Sequence, residues 1–587
     1  MRRTQKFGLL LVAAALLISG SPLFAAGSNE VAQTASGSGE PQYGGTLTVS
    51  RGFGEAATAD MTLSQWPTVY YTNPVIDFLI IGDFEKYDAR GTGEFPFWIS
   101  YAVPDEFSRG NLLESWEVTA KRIVYHVRPG IRWAADGKEH VMESREYTAY
   151  DTAYSLNRYM EQPAGQSMLA PGGWIESITA TDRYTVVIET NYFEAGWKWK
   201  ISTGWGNGQY AQESVEAGLN DWNNLVGTGP WMLKEYVLGS AFIYERNPDF
   251  WDTTVINGVE YEIPFLDELH FPIILDASTR LAAFRTGKLD YHQDMSPRDK
   301  DALIQSTPDL IPLPVTRYHS DFIALRMNDR TEVDGGYTYE PTEILGNQEI
   351  RRALMIGLDR QYIMEATLGE GDIYGWPING DFGAITTPID EMPASIQELF
   401  EYDPDKARQM IADAGYPDGF SLRMVLDAGN AERSDAAALI VDMWSEIGVE
   451  TEMVPMETVA WQAIEQAQTD YDVLIAGEPT GDPLIVYNAV YVGGKGQSNY
   501  QNDELDAAFA AASQNPDSAA RAEVFKEMQL TALDSVSVIP LASGYNYALY
   551  WPWVHNYYGM IDESAWGTSH MNARIWIDHD LKAEMGY

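Results

Sequence analysis

Eight histidines, 85 acidic residues and no cysteine are the raw material this chain offers for chemistry. A transition-metal site needs imidazoles or thiolates at short, regular spacings, so that several ligands share one helix face or turn. His126, His140, His270, His292, His319, His555, His570 and His579 are scattered and show no such spacing, so neither a metal nor a cofactor is expected. Nucleophilic catalysis fares no better, because there is no Gly-x-Ser-x-Gly elbow, and no Walker loop cradles a phosphate. Gly204-Trp-Gly206-Asn-Gly208 mimics part of a dinucleotide loop, yet it opens no clear helix after a strand. Glu478 and Asp482 form a carboxylate pair of the kind that flanks a glycosidic bond in hydrolases. Among 85 acidic residues such pairs arise by chance, so a secreted glycoside or peptide hydrolase stands as the alternative and a non-enzyme as the main reading. The 18 tryptophans and 34 tyrosines, with clusters at Trp197-Lys-Trp199, Trp551-Pro-Trp553 and Tyr557-Tyr558, suit either a large core or a ligand with apolar faces.

The elements that must position these groups are partly legible. Residues 227–252 (GTGPWMLKEYVLGSAFIYERNPDFWD) read as a strand, a bend at Leu238–Ser240 and a second strand stopped at Asn-Pro. Residues 265–290 add a strand, a helix carrying Leu281, Ala282 and Phe284, a stop at Gly287 and a short strand. Residues 111–132 are two strands around a polar turn, and 185–189 another strand. Residues 347–369 form a helical stretch capped by Asn347 and weakened at Gly357. Residues 402–420 carry Asp403 as N-cap, Pro404 in the first turn, an apolar face of Ala407, Met410, Ile411 and Ala414, and Gly415 as the stop. Strands and helices alternate without a strict repeat, which indicates an α/β protein of several lobes.

Length and composition agree, because 587 residues exceed what one core holds. Residues 1–26 read as a cleaved secretory signal: Arg2, Arg3 and Lys6, an apolar run at 7–18, then small residues at 25–27. Residues 27–42 have the composition of a flexible linker. With no cysteine there is no disulfide and no lipid-bearing thiol, so a freely diffusing periplasmic monomer is expected. The net charge of −46 becomes −49 once the three basic leader residues are gone, which argues against nucleic acid and for a solvated acidic surface.

The wording of these segments carries more than their periodicity. GTGPW, ERNPDFWD and AAFRTGKLD resemble the phrases of bacterial extracellular solute-binding proteins, family 5, which bind oligopeptides, dipeptides or nickel for ABC importers. NQEIRRALMIGLDR and YDPDKARQMIADAGYPDGF are similar to later phrases of the same family. The resemblance implies a periplasmic binding protein-like fold of type II: two lobes across a hinge plus an extra domain. Lobe I would gather 43–72, 226–293 and 540–587, the extra domain 73–225, and lobe II 294–539.

It also implies a cleft. Residues 471–500 resemble the stretch that crosses the cleft, where dipeptide binders place an Asp against the ligand's α-ammonium. Here Pro479 stands at that place with Glu478 beside it, while Gly481-Asp482-Pro483 matches the end of the phrase. The arginine that clamps the ligand carboxylate would fall near Asp427, with Arg433 six residues on. Free dipeptide is therefore not the expected ligand. A longer peptide held through its backbone and an oligosaccharide held by tryptophans both stay open. Phe53, Trp376, Glu478, Asp482 and Tyr487 are the candidate cleft residues, and an ABC permease is the expected partner.

Overall fold

The computed structural model describes residues 40–587 except 64–65, 86–94, 96, 98–102, 205, 317–318, 335 and 561–566. The expected signal at 1–26, most of the expected linker and Trp205 lie outside the described residues.

The hairpin read from GTGPW is there. Trp231–Val237 and Ala241–Arg246 pair antiparallel, and the bend closes with the Ser240 N–H donating to the Val237 carbonyl at 2.9 Å. Gly239 takes φ +70° in that bend, a region L side chains avoid. Strand Glu268–Pro272 adds to the hairpin antiparallel, and Thr46–Thr48 adds to that strand in parallel, giving a four-stranded sheet. Phe242, Tyr244 and Leu269 point from it into the core at 0% exposure.

A second antiparallel sheet runs in the order Leu113–Val118, Arg122–Val127, Thr185–Thr190, Ile175–Ala180. Helix Ala149–Met160 packs on it, begun by a reciprocal cap in which the Thr148 N–H donates to the Asp151 carboxylate at 2.9 Å. This unit owns a separate apolar cluster that runs from Leu79 to Val226 around Trp133, Tyr125 and Ile188. A domain with its own core is what an inserted unit requires.

The third sheet has five strands, ordered Val449–Met456, Phe420–Asp427, Val473–Pro479, His319–Leu325, Val538–Pro540. The first three are mutually parallel and His319–Leu325 runs against its neighbours. Val473, Leu474, Ile475 and Ala476 are all 0% exposed, the continuous apolar run of a strand covered on both faces. Helix Pro404–Asp413 forms as read, with the Asp403 carboxylate accepting from the Lys406 N–H at 2.9 Å and Gly415 at φ +102°. The stretch at 347–369 differs. It is two helices, Gln348–Ile356 and Arg360–Thr367, because Gly357 ends the first and Asp359 caps the second by accepting from the Tyr362 N–H at 2.9 Å.

Two lobes across a hinge, plus the extra domain, follow from how the chain joins these sheets. Ser543–Tyr550 lies between Tyr291–Met295 and Ile311–Thr316, antiparallel to both. Ile311–Thr316 leads into the five-stranded sheet, and Ser543–Tyr550 returns from it. These strands, rather than residues 471–500, make the crossing. Residues 473–479 are a strand of lobe II, paired along their length with His319–Leu325 and, at Val473 and Leu474, with Phe420–Asp427 as well.

A buried ion network ties the first lobe to the extra domain. Arg574, 2% exposed at its side chain, donates to Asp252 at 2.7 Å and to Glu85 at 2.6 Å, and Arg109 pairs with Asp252 as well. Burial alone would push the Asp252 carboxyl up, but Arg574 and Arg109 overcome it and hold the group below the ordinary carboxylate range. Its contribution is complete above the unfolded-state value near 4 and is lost as pH falls below it. Asp252→Ala leaves two buried guanidiniums short of a partner, so it lowers unfolding free energy by about 3 kcal/mol. Asp405→Ala, which breaks only the exposed pair with Arg408, changes it by less than about 0.5 kcal/mol. Urea titration of the three proteins checks the contrast.

Candidate functional site

In an open α/β sheet, ligands bind outside the carboxyl ends of the parallel strands, where loops diverge and helix N-termini converge. In lobe II that crest carries Asp427, Glu478 and, from the antiparallel strand, His319 and Asp321. Helix Ala431–Glu446 starts there, capped by Asn430, whose side chain accepts from the Arg433 N–H at 3.0 Å. The cap sets Arg433 on the first turn, and its guanidinium donates to Asp321 at 2.8 and 3.1 Å. Trp461 lies 5.6 Å from the same guanidinium. Gly477 makes room for the pair, since a Cβ at that position would sit 2.7 Å from the Arg433 Nη2.

The expected carboxylate clamp is therefore not free. Asp427 accepts from the Thr458 hydroxyl at 2.8 Å and the Gly429 N–H at 2.9 Å, and Arg433 is already paired. Glu478 is the exception at the crest. It stands opposite Ser320 in the ladder, half-buried, and no described residue forms an ion pair or hydrogen bond with its carboxylate. Burial, then Glu465, pushes its carboxyl up to about 7 against the opposing pull of Arg433.

Asp482 goes elsewhere. It caps helix Pro483–Val490, accepting from the Leu484 N–H at 2.8 Å, and lines a cavity of about 510 Å³ between lobe II and the extra domain. Burial pushes its carboxyl up to about 6. Phe53, half-buried in the first lobe, rests 5.0 Å from the Tyr70 ring, and its carbonyl accepts from the Tyr71 hydroxyl at 3.0 Å.

Trp376 and Tyr487 are corrections to the sequence reading. Trp376 is 1% exposed, packs 4.9 Å from Phe322, and donates from Nε1 to the Tyr491 hydroxyl at 2.8 Å. Tyr487 is 0% exposed, stacks on Phe525, and donates to the Phe525 carbonyl at 3.2 Å. Both fill the lobe II core and present no face to a ligand. Sequence reasoning missed Asp321 and Glu465, which come from distant segments; only the Asn430 cap ahead of Arg433 left a local trace. Trp376→Ala costs about 3–5 kcal/mol of stability through the cavity it leaves. Denaturant unfolding reads that loss, while Glu478→Gln, which removes a half-buried charge without a cation, raises the unfolding midpoint at pH 8 and leaves it near wild type at pH 5.

The sequence profile of bacterial extracellular solute-binding proteins, family 5 (middle), matches residues 109–499. Heme-binding protein A of Haemophilus influenzae is 24% identical over 487 residues, covering 77% of this chain and 83% of its own length. Di/tripeptide-binding protein 1 of Pseudomonas aeruginosa is 23% identical over 474 residues, covering 74% and 82%. The murein tripeptide binding protein MppA, in its unliganded open form, matches with a TM-score of 0.69 at 17% identity, over 92% of this chain and 100% of that one. The chain belongs to the bacterial extracellular solute-binding proteins, family 5.

Proposed function

We propose that the protein is the periplasmic capture component of an ABC importer, and that its ligand is a short peptide whose α-ammonium meets Glu478. The observation that carries this reading is the carboxylate itself. A half-buried carboxylate without a cation is costly, and a ligand ammonium offsets that cost by a charge-assisted hydrogen bond. A neutral oligosaccharide leaves it unmet, which favours peptide over sugar. The name of the Pseudomonas di/tripeptide-binding relative points the same way.

The leader read at 1–26 supports export, and among the described residues no helix is long and apolar enough to cross a membrane. The hydrolase alternative loses its pair, since Asp482 is engaged by a helix cap while Glu478 stands at the crest. The protein acts as a monomer that releases its ligand intact to a membrane permease.

Native mass spectrometry of the freshly purified protein should release short peptides unchanged; hexose-unit masses would overturn the assignment. Affinity for trialanine, followed by titration calorimetry, should be governed by the ionised form of Glu478. With burial pushing that carboxyl up to about 7, affinity falls about tenfold per pH unit well below 7, peaks between about 7 and 8, and falls again as the peptide's own α-ammonium deprotonates near 8. Glu478→Gln weakens binding by about 10–100-fold, the worth of one hydrogen bond to a charged group, and flattens the pH profile. A wild-type profile that is flat from pH 5.5 to 8, on the order of the range that a carboxyl near 7 spans, excludes Glu478 from the site.

A further inference from the structure

The cavity behind Asp482 is walled by Phe107 and Trp199 of the extra domain and by Phe382, Leu484 and Phe525 of lobe II; none of the residues lining it comes from lobe I. Its frame is set by direct contacts between those two units. The Ala195 N–H donates to the Ser513 carbonyl at 2.8 Å, and Phe95 meets Phe382 edge-on at 5.6 Å. Its shape therefore does not wait on the closing of one lobe against the other. At about 510 Å³ it lies inside the range of small-molecule sites, about 300–1,000 Å³.

Among the described residues two opposite charges of this lining, Asp482 and Arg521, have no ion-pair partner; Glu106, also on the lining, has none either but is exposed to solvent. Among the described residues the Asp482 carboxylate accepts only from the Leu484 N–H and forms no ion pair, with Lys198 and Lys200 acting on it at longer range. Arg521 donates to the Asn515 carbonyl at 2.7 Å, lies 5.7 Å from the Phe193 ring and forms no ion pair among the described residues, while Asp105, Asp517 and Asp482 act on it at longer range. Lys198, also on the wall, is already engaged by Asp105 and by the Val103 carbonyl. A cationic ligand would meet Asp482 and leave Arg521 unmet; an anionic one would do the reverse. A zwitterion answers both.

We propose that this cavity is a second binding site, for a free α-amino acid with a large apolar side chain. The ammonium donates to Asp482, the carboxylate accepts from the Arg521 guanidinium, and the side chain lies against Trp199 and Phe525. The site is independent of the peptide reading, because Glu478 takes no part in it.

Titration calorimetry with L-phenylalanine on the full chain tests it. Saturable binding is expected, with 3-phenylpropionate and phenethylamine, each lacking one charge, at least about tenfold weaker. Arg521→Gln and Asp482→Asn should each weaken L-phenylalanine binding by about tenfold or more, and asparagine preserves the helix cap. Glu478→Gln should leave it unchanged. The proposal is overturned if millimolar L-phenylalanine does not bind, if both substitutions bind it as wild type does, or if Glu478→Gln abolishes binding.

Discussion

Ser543–Tyr550 must satisfy two lobes at once. At its start Ser543 and Gly544 pair with Asp372 and Gly371 of lobe II, and the Ser543 hydroxyl meets that of Ser320. At its end Tyr550 faces both Tyr291 and Ile311. An eight-residue strand hydrogen-bonded along both edges cannot shear without breaking several ladder bonds, so relative motion of the lobes is confined to a twist about it. The pairing with Tyr291–Met295 is already irregular between His292 and Met295, which is where such a twist meets least resistance. Together with Ile311–Thr316, which leads the chain the other way, that strand joins the crest of lobe II to the first lobe.

What the crest prefers is set locally. The net charge of −46 is spread over the surface and is screened beyond about 8–10 Å at physiological salt. Within that distance Arg433 is neutralised by Asp321, and Glu465 reinforces the field on Glu478. The charge left without a partner there is negative, and it is half out of water. The overall acidity bears on solubility, whereas the field around Glu478 is set by the few groups within that distance.

How much of this could be read beforehand follows from which rules are local. The hairpin at 231–246 and helix Pro404–Asp413 rest on turn and cap residues a few positions apart, and they formed as read. The stretch at 347–369 misled because its apolar period continues across Gly357, while the Asp359 cap that restarts the helix is a second local signal of equal weight. Trp376 and Tyr487 misled for a different reason. An aromatic near a turn looks the same in sequence whether its face meets a ligand or Phe322 and Phe525. Likewise, the partners that raise or neutralise the crest charges, Glu465 and Asp321, come from separate strands and helices, so no spacing along the chain announces them.

Glu478 and Asp482 show most clearly how four residues can divide a site. Strand Val473–Pro479 ends at the crest, the Thr480-Gly481 turn redirects the chain, and Asp482 opens the next helix. The first carboxylate therefore ends the strand opposite Ser320, and the second lines the cavity beside Trp199 and Phe525. A typical glycoside hydrolase needs two carboxylates flanking one bond at a fixed separation. Here the turn that makes the helix cap draws Asp482 away from Glu478, so the two carboxylates sit in different surroundings.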